Sequence, residues 1–254
     1  MINNLVSNGC SYMFNYTQGG GHRDLAERLG MSNAQDICVS GSANTRILRT
    51  TLKHSYTATE PTFYLLGMTF VSRGEIPILT VDGEGTFEGR WTNPQNQVFE
   101  NRWEHFWSRK ETEKWVDMKR MTEAYSLLDR TEDLMYSMLA CIDSLHRRGH
   151  QVLMYQQADD SYQYLYEDAK WNPARKLDLF GSTPCIVDKF QWCAIKYQHD
   201  QGVAKTAVDP TIPQTMIPTP FAPSTPDHQR KPEPGAHDTL NEFLASYIRE
   251  HNLV

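Results

Sequence analysis

Hydrophobic positions along this chain alternate between short apolar runs and longer stretches with helical spacing. Asn4-Leu5-Val6-Ser7-Asn8 reads as a short buried strand. Residues 22–29 are spaced as a helix, and Gly30 stands where a helix C′ glycine belongs. Asp36-Ile37-Cys38-Val39 predicts a second strand, and 45–56 a helix with Ile47, Leu48 and Leu52 on one face. Pro61 to Gly67 is apolar on both faces, as a central parallel strand is. Periodicity over 121–148 predicts a long helix whose apolar face holds Leu127, Leu128, Leu134, Met138, Cys141, Ile142 and Leu145. Gly149 ends it, and Gln151 to Gln156 predicts a fourth strand.

The later chain is less regular. Short helices are expected over 162–170 and 189–197, and the proline-rich stretch 209–234 must be extended or looped. A last amphipathic helix over 239–251 buries Leu240, Phe243, Leu244, Tyr247 and Ile248. The repeated strand–loop–helix order predicts an α/β fold, a three-layer α/β/α sandwich with a mostly parallel central sheet and right-handed crossovers. From about 74 to 118 the pattern breaks into glycines, polar residues and Trp91, Trp103, Trp107 and Trp115. That reads as an insertion after the third strand, its tryptophans forming a small satellite core or else a sugar- or partner-binding surface. One domain spanning 1–254 is expected.

Composition narrows the function. A net charge of -6 argues against nucleic acid or an anionic membrane as partner. Cys10, Cys38, Cys141, Cys185 and Cys193 are an odd, scattered set, which reads as reduced thiols and not as a disulfide framework or zinc site. Met1-Ile2-Asn3-Asn4 shows no basic region leading into an apolar run, and eighteen apolar residues never run together. A cytoplasmic, soluble protein is the expectation. His22, His54, His105, His146, His150 and His199 have no metal-ligand spacing, so no metal is expected. Gln18-Gly19-Gly20-Gly21 lacks a following Gly-Lys-Ser/Thr, so no nucleotide cofactor is expected either. Asp159-Asp160 reads as acidic residues stabilising a helix start.

Candidate chemistry collects at strand ends, where open α/β sheets carry their sites. Gly9-Cys10-Ser11 follows the first strand, Gly41 to Asn44 the second, and Gly67-Met68-Thr69 the third. Asp227, His228, Lys231 and His237 precede the last helix. A serine nucleophile needs a base within reach and donors aimed at the developing oxyanion, and this set holds both kinds of group. Plainer readings exist for each: a turn at Ser11 and at Gly41, a small buried thiol at Cys10 (the rival nucleophile), a helix cap at Asn44, a strand-end hydrogen bond at Thr69, and an Arg73–Glu75 ion pair.

In order and spacing these blocks resemble the SGNH (GDSL-type) hydrolase superfamily. Gly9-Cys10-Ser11 stands at its Gly-Asp-Ser block, Val39-Ser40-Gly41-Ser42-Ala43-Asn44-Thr45 at its glycine block, and Gly67-Met68-Thr69-Phe70 at its Gly-x-Asn-Asp block. Asp227, His228 and His237 stand near its Asp-x-x-His block. Gly-Cys-Ser-Tyr and Gly-x-Thr-x-x-x-Arg are similar to SGNH-like proteins of viruses and marine bacteria. The resemblance implies a flavodoxin-like sheet and Ser11 as nucleophile. It also implies Gly41, Asn44, Thr69 and Arg73 around the oxyanion or substrate, and no cofactor. The base is His237 or His228, with Asp227 orienting the imidazole if His228 serves. The implied substrate is a small-molecule or carbohydrate acyl ester, such as an O-acetyl group. The chain departs from the pattern at Cys10, at Thr69 and at Lys231-Pro232, where the family's histidine would fall. Those departures motivate a second reading, a catalytically degenerate scaffold for binding or assembly.

Overall fold

The computed structural model describes residues 2–39, 42–69, 76–81, 87–92, 127–157, 183–187, 194, 197, 201, 205–208, 216–219 and 236–254. Within them the chain forms β1 (Asn4–Gly9), α1 (Ser11–Gln18), α2 (Gly21–Arg28), β2 (Asn33–Asp36), α3 (Asn44–Thr57), β3 (Thr62–Met68), β4 (Ile76–Val81) and β5 (Phe87–Thr92). It continues through α4 (Leu127–Arg147), β6 (Gln151–Gln156), β7 (Lys205–Val208), β8 (Met216–Thr219) and α5 (Ala236–Glu250). Four strands make one parallel sheet in the order β2-β1-β3-β6, so the fold is α/β as expected. Past β6, Ile186 makes a parallel bridge to Met154. No described helix is long and apolar enough to cross a membrane.

Central strands are buried on both sides, which is why they read as continuous apolar runs; every residue of β3 is buried. Register sets which helix each side chain meets. Asn8 donates to the carbonyl of Ile47 on α3, while the next position, Gly9, faces Met13 on α1. Successive strand residues point to opposite faces, so α3 and α1 lie on opposite sides of β1. Tyr64, in register with Val6 on the α3 side, hydrogen-bonds His54 of α3. Tyr155, in register with Gly67 and through it with Gly9, donates to Met13 Sδ of α1. α4 packs on α3, and α5 on α2.

Two elements differ from the sequence expectation. The second strand lies at Asn33–Asp36, earlier than 36–39. Apolar Ile37-Cys38-Val39 suggested a strand, but an edge strand is defined by pairing, and the polar Asn33-Ala34-Gln35-Asp36 run pairs with Asn4–Ser7. Ile37 and Val39 still donate singly to the Ser7 and Gly9 carbonyls. Helix α1 was not anticipated, because Ser-Tyr-Met-Phe-Asn-Tyr-Thr-Gln is poor in strong helix formers. Burial of Met13 and Tyr16 one turn apart holds it instead. Gly30 and Gly149 end α2 and α4 in the left-handed region, at φ 73° and 78°. Between β3 and α4 the described residues form a separate antiparallel pair, β4–β5. Trp103, Trp107, Trp115 and the helices expected over 162–170 lie outside the described residues, as does most of 189–197 and 209–234.

Two predictions follow from these contacts. A Cβ at Gly9 would lie 2.4 Å from Met13 Cβ and 3.0 Å from the Gly67 carbonyl oxygen, whereas one at Gly67 would meet the movable end of Gln157. Gly9→Ala should cost about 3 kcal/mol in urea unfolding and Gly67→Ala about 1 kcal/mol, the range seen for overpacking. The second concerns pH. His150 Nδ1 accepts the Thr62 N–H at 3.2 Å, and burial holds its pKa below the ordinary histidine value. The unfolded chain therefore takes up this proton first, so stability is complete above about pH 6.5 and declines as pH falls through the lower folded value. His22, His54 and His237 are depressed by burial in the same direction. The urea midpoint should fall between pH 7.5 and 5.5, and His150→Asn should make that fall shallower.

Candidate active site

Strand order reverses direction between β1 and β3: the chain leaves β1 for β2 on one side and returns through α3 to β3 on the other. A crevice opens at such a point outside the carboxyl ends of the strands. Here β1 ends at Gly9 and the chain turns at once into α1, whose first residue is Ser11. The carbonyl of Cys10 accepts the Phe14 N–H at 2.8 Å, opening the helix ladder. Cys10 itself is fully buried, which removes it from solvent as a rival nucleophile.

On the neighbouring strand β3 ends at Met68, and Thr69 is clasped by Asn44. The Asn44 side-chain oxygen accepts the Thr69 N–H at 2.7 Å, and its amide nitrogen donates to the Thr69 carbonyl at 2.9 Å. All these atoms are buried, so the pair joins the start of α3 to the end of β3 as two ladder bonds would. Asn44 is therefore not a helix cap; Ala43 occupies that position and makes no side-chain cap bond. The Thr69 hydroxyl is buried and has no hydrogen-bond partner among the described residues. Asn8, one residue before the end of β1, donates from Nδ2 to Ile47 O, Thr50 Oγ1 and Thr51 Oγ1, each at 2.9 Å.

His237 lies in the first turn of α5, which begins three residues earlier than the periodicity suggested. Its ring meets that of Tyr16 edge-on, with centroids 5.3 Å apart. Tyr16 is five residues past Ser11, about 7.5 Å further along the axis of α1. Both ring nitrogens of His237 are buried without a hydrogen-bond partner among the described residues. Burial lowers its pKa from the ordinary value, with the Asp238 carboxylate opposing, so the imidazole is neutral at pH 7. Gly41, Arg73, Asp227 and His228 lie outside the described residues.

One group escaped the sequence reading. Gln157 follows β6, the fourth strand end on the same rim. Its amide nitrogen donates to Tyr155 Oη at 3.1 Å and to Met13 Sδ at 3.4 Å, and its side chain covers Gly67. The strand-end rule that selected Ser11, Asn44 and Thr69 reaches Gln157 equally when applied to the fourth strand. Among the described residues no cluster of three or more His, Cys, Asp or Glu is placed to hold a metal ion. Compared with known proteins, the chain matches no family model and no curated sequence.

The clasp and the orphan hydroxyl make opposite predictions for neighbouring residues. Asn44→Ala strands the Thr69 N–H and carbonyl and should cost about 3 kcal/mol. Thr69→Val removes a buried hydroxyl that bonds nothing, and should leave stability unchanged or raise it by up to about 1 kcal/mol. Urea unfolding of both variants measures the contrast.

Proposed function

We propose that this chain is an SGNH-like serine hydrolase that cleaves a small acyl ester, such as an O-acetyl group on a carbohydrate. The observation that carries the reading is the reversal of strand order between β1 and β3, with Ser11 beginning α1 just past the end of β1 and the buried Thr69 hydroxyl just past the end of β3. The strand order and the placement of α1 and α3 on opposite sides of β1 support a three-layer, flavodoxin-like arrangement for the chain as a whole. The β4–β5 pair would then open a Trp-rich insertion.

In the proposed reaction Ser11 Oγ attacks the acyl carbon and His237 takes its proton. The oxyanion is met by the N–H groups of Ser11 and Gly41 and by the Thr69 hydroxyl, with Arg73 beside it. His237 then protonates the leaving alkoxide, and water, activated by the same imidazole, releases the acyl group from Ser11. Asn44 serves in this scheme by holding Thr69 and not by contacting the oxyanion itself. That commitment of the Asn44 amide also favours the second reading, a silent binding scaffold, which the following experiment separates.

A fluorophosphonate probe should label the wild type and Cys10→Ala but not Ser11→Ala, with all three folded by circular dichroism. Absence of Ser11-dependent labelling leaves the scaffold. On an acetyl ester, His237→Gln should lower kcat about 10²–10⁴-fold, and Thr69→Val about 10²-fold while remaining folded. Because His237 must be neutral to accept a proton and burial lowers its pKa, the acid limb of kcat/KM should lie below about pH 6.5.

A further inference from the structure

α5 is fastened to α1 and α2 by a buried side-chain amide one turn past His237. Asn241 is fully buried; its Oδ1 accepts the Tyr16 hydroxyl at 2.5 Å, and its Nδ2 donates to the Gly21 carbonyl at 2.9 Å and to Asp24 Oδ2 at 2.7 Å. Asp24 in turn takes the Arg28 guanidinium at 2.7 Å. Further along, Arg249 donates to the Arg28 carbonyl, so α5 is tied to α2 at two levels. The Arg28 contacts to Asp238 and Glu242, at 3.6 and 3.9 Å, join exposed carboxylates and add little.

The knot and the imidazole share one ring. Tyr16 gives its hydroxyl to Asn241 and packs T-shaped against His237, and it lies where Gly21 has no side chain, since a Cβ there would fall 2.3 Å from the ring. His237 and Asn241 are four residues apart and so lie on one face of α5. Among the described residues no carboxylate hydrogen-bonds either His237 nitrogen.

We infer that Tyr16 and Asn241 are positioning residues for His237: the Tyr16–Asn241–Asp24 chain sets the register of α5, and the T-shaped contact with the Tyr16 ring holds the imidazole without a carboxylate partner. This rests on the proposed hydrolase reading only for its effect on rate. The geometric part stands by itself. The charged group bearing on the imidazole is Asp238 on α5; Tyr16 on α1 meets its ring, and Asp24 and Arg28 on α2 lie beyond Asn241 in the same chain of contacts.

The test is an NMR titration of the His237 ring, assigned with His237→Gln, in wild type, Tyr16→Phe and Gly21→Ala. Tyr16→Phe keeps the ring and loses the bond to Asn241; Gly21→Ala keeps every polar group and displaces the ring. Both should bring the His237 pKa up toward the solvent-exposed value of about 6.5. Ile142→Val, a small core truncation on α4, should lower stability and leave that titration unchanged. On an acetyl ester the two positioning variants should lose about 10–100-fold in kcat with KM within about twofold, as misplacement of a catalytic group does. Wild-type titration curves in both folded variants would overturn the inference, whatever the activity. Shifted titration without any Ser11-dependent labelling would sustain it and discard the hydrolase reading.

Discussion

The architecture hinges on a close approach between two strand ends that carry no side chains. Gly9 and Gly67 are register partners on β1 and β3, and on the α1 side of the sheet they leave a bare strip of backbone. Met13 settles over the first and Gln157 over the second, with the Tyr155 hydroxyl donating to Met13 and accepting from Gln157. Because Met13 can come this close, α1 starts immediately after β1 with Cys10 alone between them. Side chains at the two glycines would lift α1 from the sheet and carry Ser11 with it. The position of the proposed nucleophile is thus a consequence of packing two residues away.

On the opposite side the same strand ends are held by amides. Asn8 ties β1 to the middle of α3, and Asn44 ties the start of α3 to the end of β3. Buried side-chain amides are costly to desolvate and earn their place only when their donors and acceptors are met. Asn44 meets this by imitating a strand neighbour, with one donor and one acceptor against one peptide unit. The rim is therefore stiff where the proposed chemistry needs fixed donors. The atoms left over, Asn8 Oδ1, Ser7 Oγ and Thr69 Oγ1, are buried without partners near the same strand ends.

Much of this was legible beforehand, for identifiable reasons. Strands β1, β3 and β6 are almost wholly buried, so hydrophobicity alone marks them; α3, α4 and α5 carry apolar stripes wide enough to read. β2 was displaced because edge pairing leaves no hydrophobic signature, and α1 was missed because tertiary burial of Met13 and Tyr16 overrides weak helical preference. At the site, Ser11, Asn44 and Thr69 were selected by position at strand ends, which topology alone determines. Their mutual contacts were not legible. An asparagine at a helix start reads as a cap, and only the third dimension shows that its amide turns to Thr69 instead. Tyr16 and Asn241 lie 225 residues apart along the chain, a separation across which no local pattern speaks.

That separation bears on how a late helix is aligned on two early ones. α5 follows a proline-rich stretch and must find its register on α1 and α2 from its own face. Leu240, Leu244 and Ile248 supply the apolar contact, but apolar stripes tolerate sliding, since burial is nearly the same after a small shift. Hydrogen bonds do not tolerate it. Asn241 needs the Tyr16 hydroxyl, the Gly21 carbonyl and Asp24 together, and one step along the helix loses all three. Such a polar knot inside an apolar seam specifies alignment more than it adds stability, as single buried asparagines do between paired helices. Placing it one turn from His237 makes the best-defined part of α5 the part next to the imidazole, whose ring nitrogens meet no hydrogen-bond partner among the described residues.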